Sequence, residues 1–414
     1  MANPRKIAVK VLVKIEKEGT YSNLAVAEAL KDSELTSQDK ALATALIYGV
    51  LDRKITLDYI LSNFLKNPIS KTELFTLTVL RPALYQIKYM DKIPESAAVN
   101  EAVKIMIASK ISRNAGFVNG VLRSVLRTDV GLPQGNSAEA LSIRYSCPIW
   151  IVESFLKDYG LKDTKALLEE NLKPAPTVLR INKVKADIKE LENNFEINGN
   201  SIELTKGISV SDNIFYKKGY FYAQDYASQR AVEVLSPKAG DRVLDLCSAP
   251  GGKAFTMANL MENTGEIIAC DLYPHRVDLI ENSAERLGLT IIKPRVSDAC
   301  CFDEALGQFD CVLCDVPCSG LGVIRRKPEI KYTKADDFGE LEDIQKRIVK
   351  NALNYLKKGG KLLYSTCTLR SEENEKLVIW LQKEYNHLNK LFEHTFMPHI
   401  DGTDGFYCAL FEKE

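Results

Sequence analysis

The chain has 414 residues, long enough for two to four domains at roughly 100 to 200 residues each. Hydrophobic residues at 45%, charged residues at 27%, 23 Gly and 15 Pro are the composition of a folded globular protein and exclude collagen-like, low-complexity and disordered classes. The 55 basic and 55 acidic side chains cancel, but unevenly: residues 1–130 hold 19 Lys/Arg against 13 Asp/Glu, and the rest of the chain is acidic by the same margin. A modestly positive region permits a nucleic-acid partner without demanding one, because surface charge is more often simply solvated. The longest apolar stretch, 41–51, stops at Lys40 and Asp52, short of the roughly 18 residues a membrane helix needs. Lys10 and Lys14 break any signal-peptide core, so a cytoplasmic protein with no membrane contact is expected.

Residues 4–127 repeat apolar positions every three to four residues, as in Leu74, Leu77, Leu80, Leu84 and Val118, Val121, Leu122, Val125, which predicts an all-α domain over 1–130. Pro82 is expected to kink its helix. The run 128–137 is rich in turn residues and marks a boundary. Over 138–235, helix mixes with short β segments at 178–181 and 219–223, predicting a small α+β unit. From 236 to 414, strands at 242–246, 266–270, 291–296, 309–314, 361–365 and 406–411 alternate with helices, the mark of a doubly wound, mostly parallel α/β sheet.

Nine of the ten cysteines follow residue 240, and without a secretory context they are expected to be reduced. Cys311 and Cys314 form C-x-x-C, but within a strand such positions face opposite sides. His275, His387, His394 and His399 are not spaced around them, so no metal is expected.

In such a sheet the ligand lies beyond the carboxyl ends of the strands. The first strand ends in Asp245-Leu246-Cys247-Ser248-Ala249-Pro250-Gly251-Gly252-Lys253, whose glycines admit a ligand close to the backbone at a helix start. A phosphate loop would need Gly at Cys247 and a hydroxyl at Ala254, and no G-x-G-x-x-G is present. Asp271, Asp298 and Asp315 stand at or just after the next three strand ends. Any one alone could be a helix cap; together they suit a nucleoside ligand without polyphosphate, a description S-adenosylmethionine answers. Two cysteines also stand at strand ends, Cys318 in Asp315-Val316-Pro317-Cys318 and Cys367 in Ser365-Thr366-Cys367-Thr368. Buried thiols are usually inert, but a loop position beside Asp315 and Lys253 argues for reactivity.

These segments, from Gln224-Asp225 through the glycine loop to the Pro-Cys and Thr-Cys, resemble the RNA 5-methylcytosine methyltransferases. Asn100-Glu101-Ala102-Val103 and Phe117-Val118-Asn119-Gly120-Val121-Leu122 resemble the NusB family. The resemblance implies a NusB-like RNA-binding domain, a small α+β domain and a Rossmann-like class I methyltransferase domain. It implies methylation of cytosine C5 in small-subunit (16S) ribosomal RNA, with transfer RNA as the alternative substrate and a monomer as the working state. It also assigns roles: Cys247 to Lys253 wrap the methionine part of S-adenosylmethionine, Asp271 holds the ribose and Asp298 the adenine edge. Cys367 becomes the nucleophile and Cys318 the cysteine that helps release product. Asp315 and Lys253 are placed to stabilise charge on the ring and to orient the carboxylate or lower a thiol pKa. The proton acceptor at C5 is left open between Cys318 and a water. Arg325, Arg326 and Lys327, just after the Pro-Cys loop, are expected to hold RNA backbone near the target base.

Overall fold

The computed structural model describes residues 3–31, 33–204, 210–333 and 338–414. The chain forms two compact units, one of Met1–Lys173 with Ile324–Thr333, the other of Pro174–Val323 with Lys334–Glu414.

The first unit is built from helices α1 (Pro4–Glu18), α2 (Ser22–Lys31), α3 (Ser37–Ser62), α4 (Leu74–Tyr89), α5 (Glu95–Ile107), α6 (Ala115–Arg127), α7 (Ala138–Tyr145) and α8 (Ile149–Glu170). The starts and stops follow local chemistry. Asn3 accepts the N–H groups of Arg5 and Lys6 ahead of Pro4, and Gly19 closes α1 at φ 64°. Helix α6 buries Val118, Val121, Leu122 and Val125 and leaves Phe117, Arg123 and Arg127 outside, as its spacing predicts. Pro82 does not interrupt α4, which runs on to Tyr89, and the Pro82 carbonyl accepts from the Gln86 side chain at 2.8 Å. Helix α8 is broken instead at Gly160, whose φ of 70° suits glycine.

The segment Ile324–Thr333 is an integral part of this unit. Glu329 accepts from the Ser22 backbone N–H (3.0 Å) and hydroxyl (2.7 Å) at the start of α2, Lys331 donates to the Asp52 carbonyl (2.8 Å), and the Tyr332 hydroxyl donates to the Leu51 carbonyl (2.6 Å).

The second unit opens with an antiparallel sheet of β1 (Thr177–Ile181), β2 (Ile197–Asn198), β3 (Ser201–Leu204) and β4 (Phe221–Ala223), ordered β2-β3-β1-β4, with the short helices α9 (Ile188–Glu192) and α10 (Ile214–Lys218). Helix α11 (Tyr226–Leu235) leads into β5 (Arg242–Asp245), α12 (Gly252–Leu260), β6 (Glu266–Asp271), α13 (Pro274–Leu287), β7 (Ile292–Val296) and β8 (Phe309–Asp315). There follow α14 (Gly339–Tyr355), β9 (Leu356–Thr366), α15 (Glu375–Glu384), β10 (Leu388–Phe396), α16 (Pro398–Asp401) and β11 (Phe406–Lys413). The seven large strands run in the order β10-β11-β9-β8-β5-β6-β7. The five from β9 to β7 are parallel, and β11 and β10 are antiparallel at one edge. Alternate residues feed the two cores on either face: Cys311 and Leu313 enter one, Val312 and Cys314 the other. The C-x-x-C pair therefore points to opposite sides of β8. Strand β10 lies outside the strands expected from the sequence. It is an edge strand with a register shift between Lys390 and Phe392, and that shift spoils the alternation on which a sequence reading relies.

Candidate active site

Strand β5 is flanked by β6 on one side and β8 on the other, so the chain reverses direction of travel across the sheet at β5, and a crevice opens beyond the strand ends there. The loop that follows β5 is tied down by its own neighbours. Ser248 N–H donates to the Cys270 carbonyl (2.7 Å), Gly251 N–H to the Ser248 carbonyl (2.7 Å), and Arg276 to the Ala249 carbonyl (2.9 Å). Gly251 takes φ 104°, and a Cβ there would lie 2.3 Å from the Phe255 ring, so only glycine fits. The Ala249–Pro250 peptide is cis.

A cavity of about 180 Å³ lies over this loop, lined among others by Gln224, Asp245, Cys247, Ser248, Lys253 and Asp315. Asp245 is fully buried, and neither of its carboxylate oxygens has a hydrogen bond of good geometry, the Ser248 hydroxyl and Cys247 N–H lying near enough only to temper its charge. Ser248 Oγ and Gln224 Nε2 are likewise buried and unpartnered, although the Gln224 Oε1 accepts from Thr256 at 2.7 Å. Burial raises the Asp245 carboxyl to about 7, with the Asp315 charge adding to it. An acceptor pair and two further polar atoms facing one small cavity fit the amino-acid end of a ligand, the part of S-adenosylmethionine that carries an ammonium and a carboxylate.

Asp271 ends β6 and is buried. Its carboxylate accepts the Ala249 and Tyr273 N–H groups, each at 3.3 Å, and lies 3.4 Å from Arg276. Asp298 follows the neighbouring β7, is exposed, and accepts the Cys300 N–H at 2.8 Å. Leu272, Tyr273 and Val296 are about half exposed beside these two acids. Their only signal in the sequence is position at the strand ends, where Val296 is the cross-strand partner of Asp271. An apolar ledge next to two carboxylates suits a base and a ribose.

On the other side of β5 the loops after β8 and β9 meet. The Asp315 carboxylate accepts from Lys253 Nζ at 2.7 Å and from the Ser365 hydroxyl at 2.9 Å. Burial pulls the Lys253 ammonium down, but the attraction and hydrogen bond of Asp315 outweigh it and hold Lys253 above its ordinary value, so the ammonium is kept. The Cys318 and Cys367 sulfurs lie 3.3 Å apart. That hydrogen bond and burial together hold the Cys318 thiol well above the usual range. Elsewhere burial, joined at Cys270, Cys311 and Cys247 by neighbouring carboxylates, pushes Cys147, Cys270, Cys311 and Cys408 up to about 12, and Cys247 well above the usual range, which disfavours their thiolates.

The basic triplet divides. Arg325 has a side chain only 2% exposed, with Nη1 3.6 Å from Glu170 of α8, whereas Lys327 is exposed, with its Nζ 5.9 Å from the Tyr21 ring centre. Arg325 is thus turned into the first unit, because Glu170 offers a partner there. No helix among the described residues is long and apolar enough to cross a membrane.

The large sheet, with its switch point and glycine loop, is the Rossmann-like methyltransferase fold, here preceded in the chain by a helical domain. Residues 232–412 match the family described as "16S rRNA methyltransferase RsmB/F", residues 2–127 the NusB family, and residues 147–211 the ferredoxin-like domain of RsmF/B-like methyltransferases. The chain is 38% identical to the probable ribosomal RNA small subunit methyltransferase B of Bacillus subtilis (strain 168), over 99% of this chain and 98% of that one. It is 29% identical to the ribosomal RNA small subunit methyltransferase B of Proteus mirabilis (strain HI4320), over 100% and 99%. Among solved structures, a methyltransferase homolog protein from Pyrococcus horikoshii is 25% identical with a TM-score of 0.61, covering 68% of this chain and 100% of that one. The chain belongs to the 16S rRNA methyltransferase RsmB/F family.

Proposed function

We propose that this protein methylates C5 of a cytosine in 16S ribosomal RNA, using S-adenosylmethionine and a transient bond between Cys367 and C6 of the base. The observation that carries this reading is the pair of sulfurs 3.3 Å apart, set beside the hydrogen-bonded Asp315–Lys253 pair at the ends of adjacent strands. C5 of cytosine is a poor nucleophile until a thiolate adds at C6 and pushes electron density to C5. Cys367 supplies that thiolate, and the neighbouring Cys318 S–H, held neutral, donates a hydrogen bond to it. The Asp315 carboxylate accepts from the exocyclic amino group and, once N3 has taken a proton from water as the ring gains electron density, from N3–H as well, so stabilising the adduct, while Lys253 fixes the carboxylate.

S-adenosylmethionine, when bound, supplies the methyl group. The 247–253 loop, Asp271 and Asp298 are the residues proposed to hold it, with Asp245 receiving its ammonium. Release then requires the C5 proton to pass to a base. The C5–H electron pair re-forms the C5–C6 double bond, and the C6–S pair departs with Cys367. That proton passes to a water next to Cys318, or to Cys318 itself once its own proton has moved to solvent and left it a thiolate. The basic surplus of residues 1–130, with Arg326 and Lys327, is proposed to grip RNA phosphates.

The reading is tested by incubating the protein with methyl-labelled S-adenosylmethionine and either 16S rRNA or tRNA, then digesting to nucleosides. Label in 5-methylcytidine from 16S rRNA is expected. Label from tRNA alone would move the substrate, and label in any other nucleoside would end the C5 assignment.

A further inference from the structure

Between Cys367 and helix α15 the chain reads Thr368-Leu369-Arg370-Ser371-Glu372-Glu373-Asn374. Glu373 is fully buried in this loop, and four donors converge on its carboxylate. These are the Ser319 backbone N–H (2.9 Å), the Ser319 hydroxyl (2.5 Å), the Gln345 amide from α14 (2.9 Å) and the Arg370 guanidinium (3.3 Å). Gln345 donates to the Pro317 carbonyl at 3.0 Å as well, so the residues on both sides of Cys318 are held through one side-chain network. The next residue does the same for the other cysteine. Asn374 accepts from the Thr366 hydroxyl (2.6 Å) and donates to the Thr368 carbonyl (3.0 Å), gripping both neighbours of Cys367. The two grips are joined where the Ser319 and Thr368 hydroxyls meet at 2.7 Å.

We infer that Glu373 is a positioning residue that sets Cys318 against Cys367 for the release step, through Ser319 and Gln345. A buried carboxylate is costly unless saturated with donors, and here three of its four donors come from the residue after Cys318 and from a side chain that also holds the residue before it. The inference rests on the proposed roles of the two cysteines. Glu373→Gln keeps the volume but replaces one acceptor with an amide that faces donors, so the Cys318 loop must shift while the Asn374 grip on Cys367 remains.

The test measures formation and decay of a denaturation-resistant protein–RNA adduct in a single turnover with S-adenosylmethionine and 16S rRNA, for wild type, Cys318→Ala and Glu373→Gln. Glu373→Gln is expected to form the adduct at near wild-type rate and with unchanged KM for RNA, but to release it about ten- to a hundredfold more slowly. Ser319→Ala, which removes the hydroxyl and keeps the backbone donor, should slow release about severalfold and provides the same test if Glu373→Gln fails to fold. Adduct persistence with Cys318→Ala but wild-type release by both of the other variants would overturn this inference alone. No persistence with Cys318→Ala would instead overturn the reading on which it rests. Equal losses in formation and release would reduce Glu373 to a purely structural role and overturn the inference too.

Discussion

The two halves of the crevice, either side of β5, treat buried polar groups in opposite ways. On the β5–β6 side the fully buried Asp245 carboxylate, Ser248 Oγ and Gln224 Nε2 have no hydrogen bond of good geometry. On the β8–β9 side the buried Glu373 carboxylate receives four donors, and Asp315 is held by Lys253 and Ser365. Leaving a polar group buried and unpaired costs stability, so the first half is built to be completed by a ligand, whereas in the second the Glu373 and Asp315 carboxylates are already satisfied by protein, although Gln345 Oε1 beside them is buried without a partner. On the proposed function, one side is a socket for the methyl donor and the other a pre-set arrangement of reacting groups, which needs no rearrangement at the moment of reaction.

The largest effect that would sharpen this contrast lies at Cys367. Cys367→Ala should reduce methyl transfer to the background of a protein-free control while leaving S-adenosylmethionine affinity within about twofold, measured by calorimetry alongside activity. A comparable loss of cofactor affinity would blur the division between the halves. Next in size, Lys253→Met strands the Asp315 carboxylate and should lower kcat by about a hundredfold, with a smaller change in the KM for RNA.

Asp271→Ala belongs to the socket side and should weaken S-adenosylmethionine binding by about 1 to 3 kcal/mol, the loss of hydrogen bonds to a charged group. The exposed Asp298 should matter less when replaced. The smallest effect has an unusual sign. Because the Asp245 carboxyl titrates at about 7 in the fold against an ordinary 3.8, the native state keeps a proton that the unfolded chain has lost between those values. Stability therefore falls as pH rises through that window and levels off above it. Asp245→Asn should leave the melting temperature of the ligand-free protein unchanged near pH 4 and raise it increasingly towards pH 7, by about 1 to 2 kcal/mol in stability. Glu373→Gln should lower it throughout. Matching signs for the two substitutions would break the comparison.

Much of this was legible in the sequence because strand ends are where an α/β sheet does its chemistry, and Cys318, Cys367, Asp315, Lys253 and the glycine loop all follow apolar runs of strand type. The same logic could not rank the acids. Asp245 sits at a strand end like Asp271 and Asp315, and nothing local distinguishes a carboxylate left unpartnered from one already satisfied. Glu373 was hidden differently. Ser371-Glu372-Glu373-Asn374-Glu375-Lys376 reads as the solvated start of a helix, and only the return of the Pro-Cys loop buries its third residue. Arg325 shows the mirror image: a basic triplet reads as exposed, but the side chain of its first member is only 2% exposed and lies against Glu170, 155 residues earlier in the chain. Non-local partners decide the burial of charges, whereas the helical unit was readable because its core follows the local period of its own helices.

The central claim, that Cys367 is the residue joined to the base, is tested most directly by trapping the bond itself. Fluorine at C5 cannot leave as the proton does, so 16S rRNA transcribed with 5-fluorocytidine should arrest the wild-type protein before release. After nuclease and protease digestion, mass spectrometry should find the methylated fluorocytidine on the peptide containing Cys367. Finding it on the peptide containing Cys318, or finding no adduct while ordinary 16S rRNA is methylated, would contradict the account.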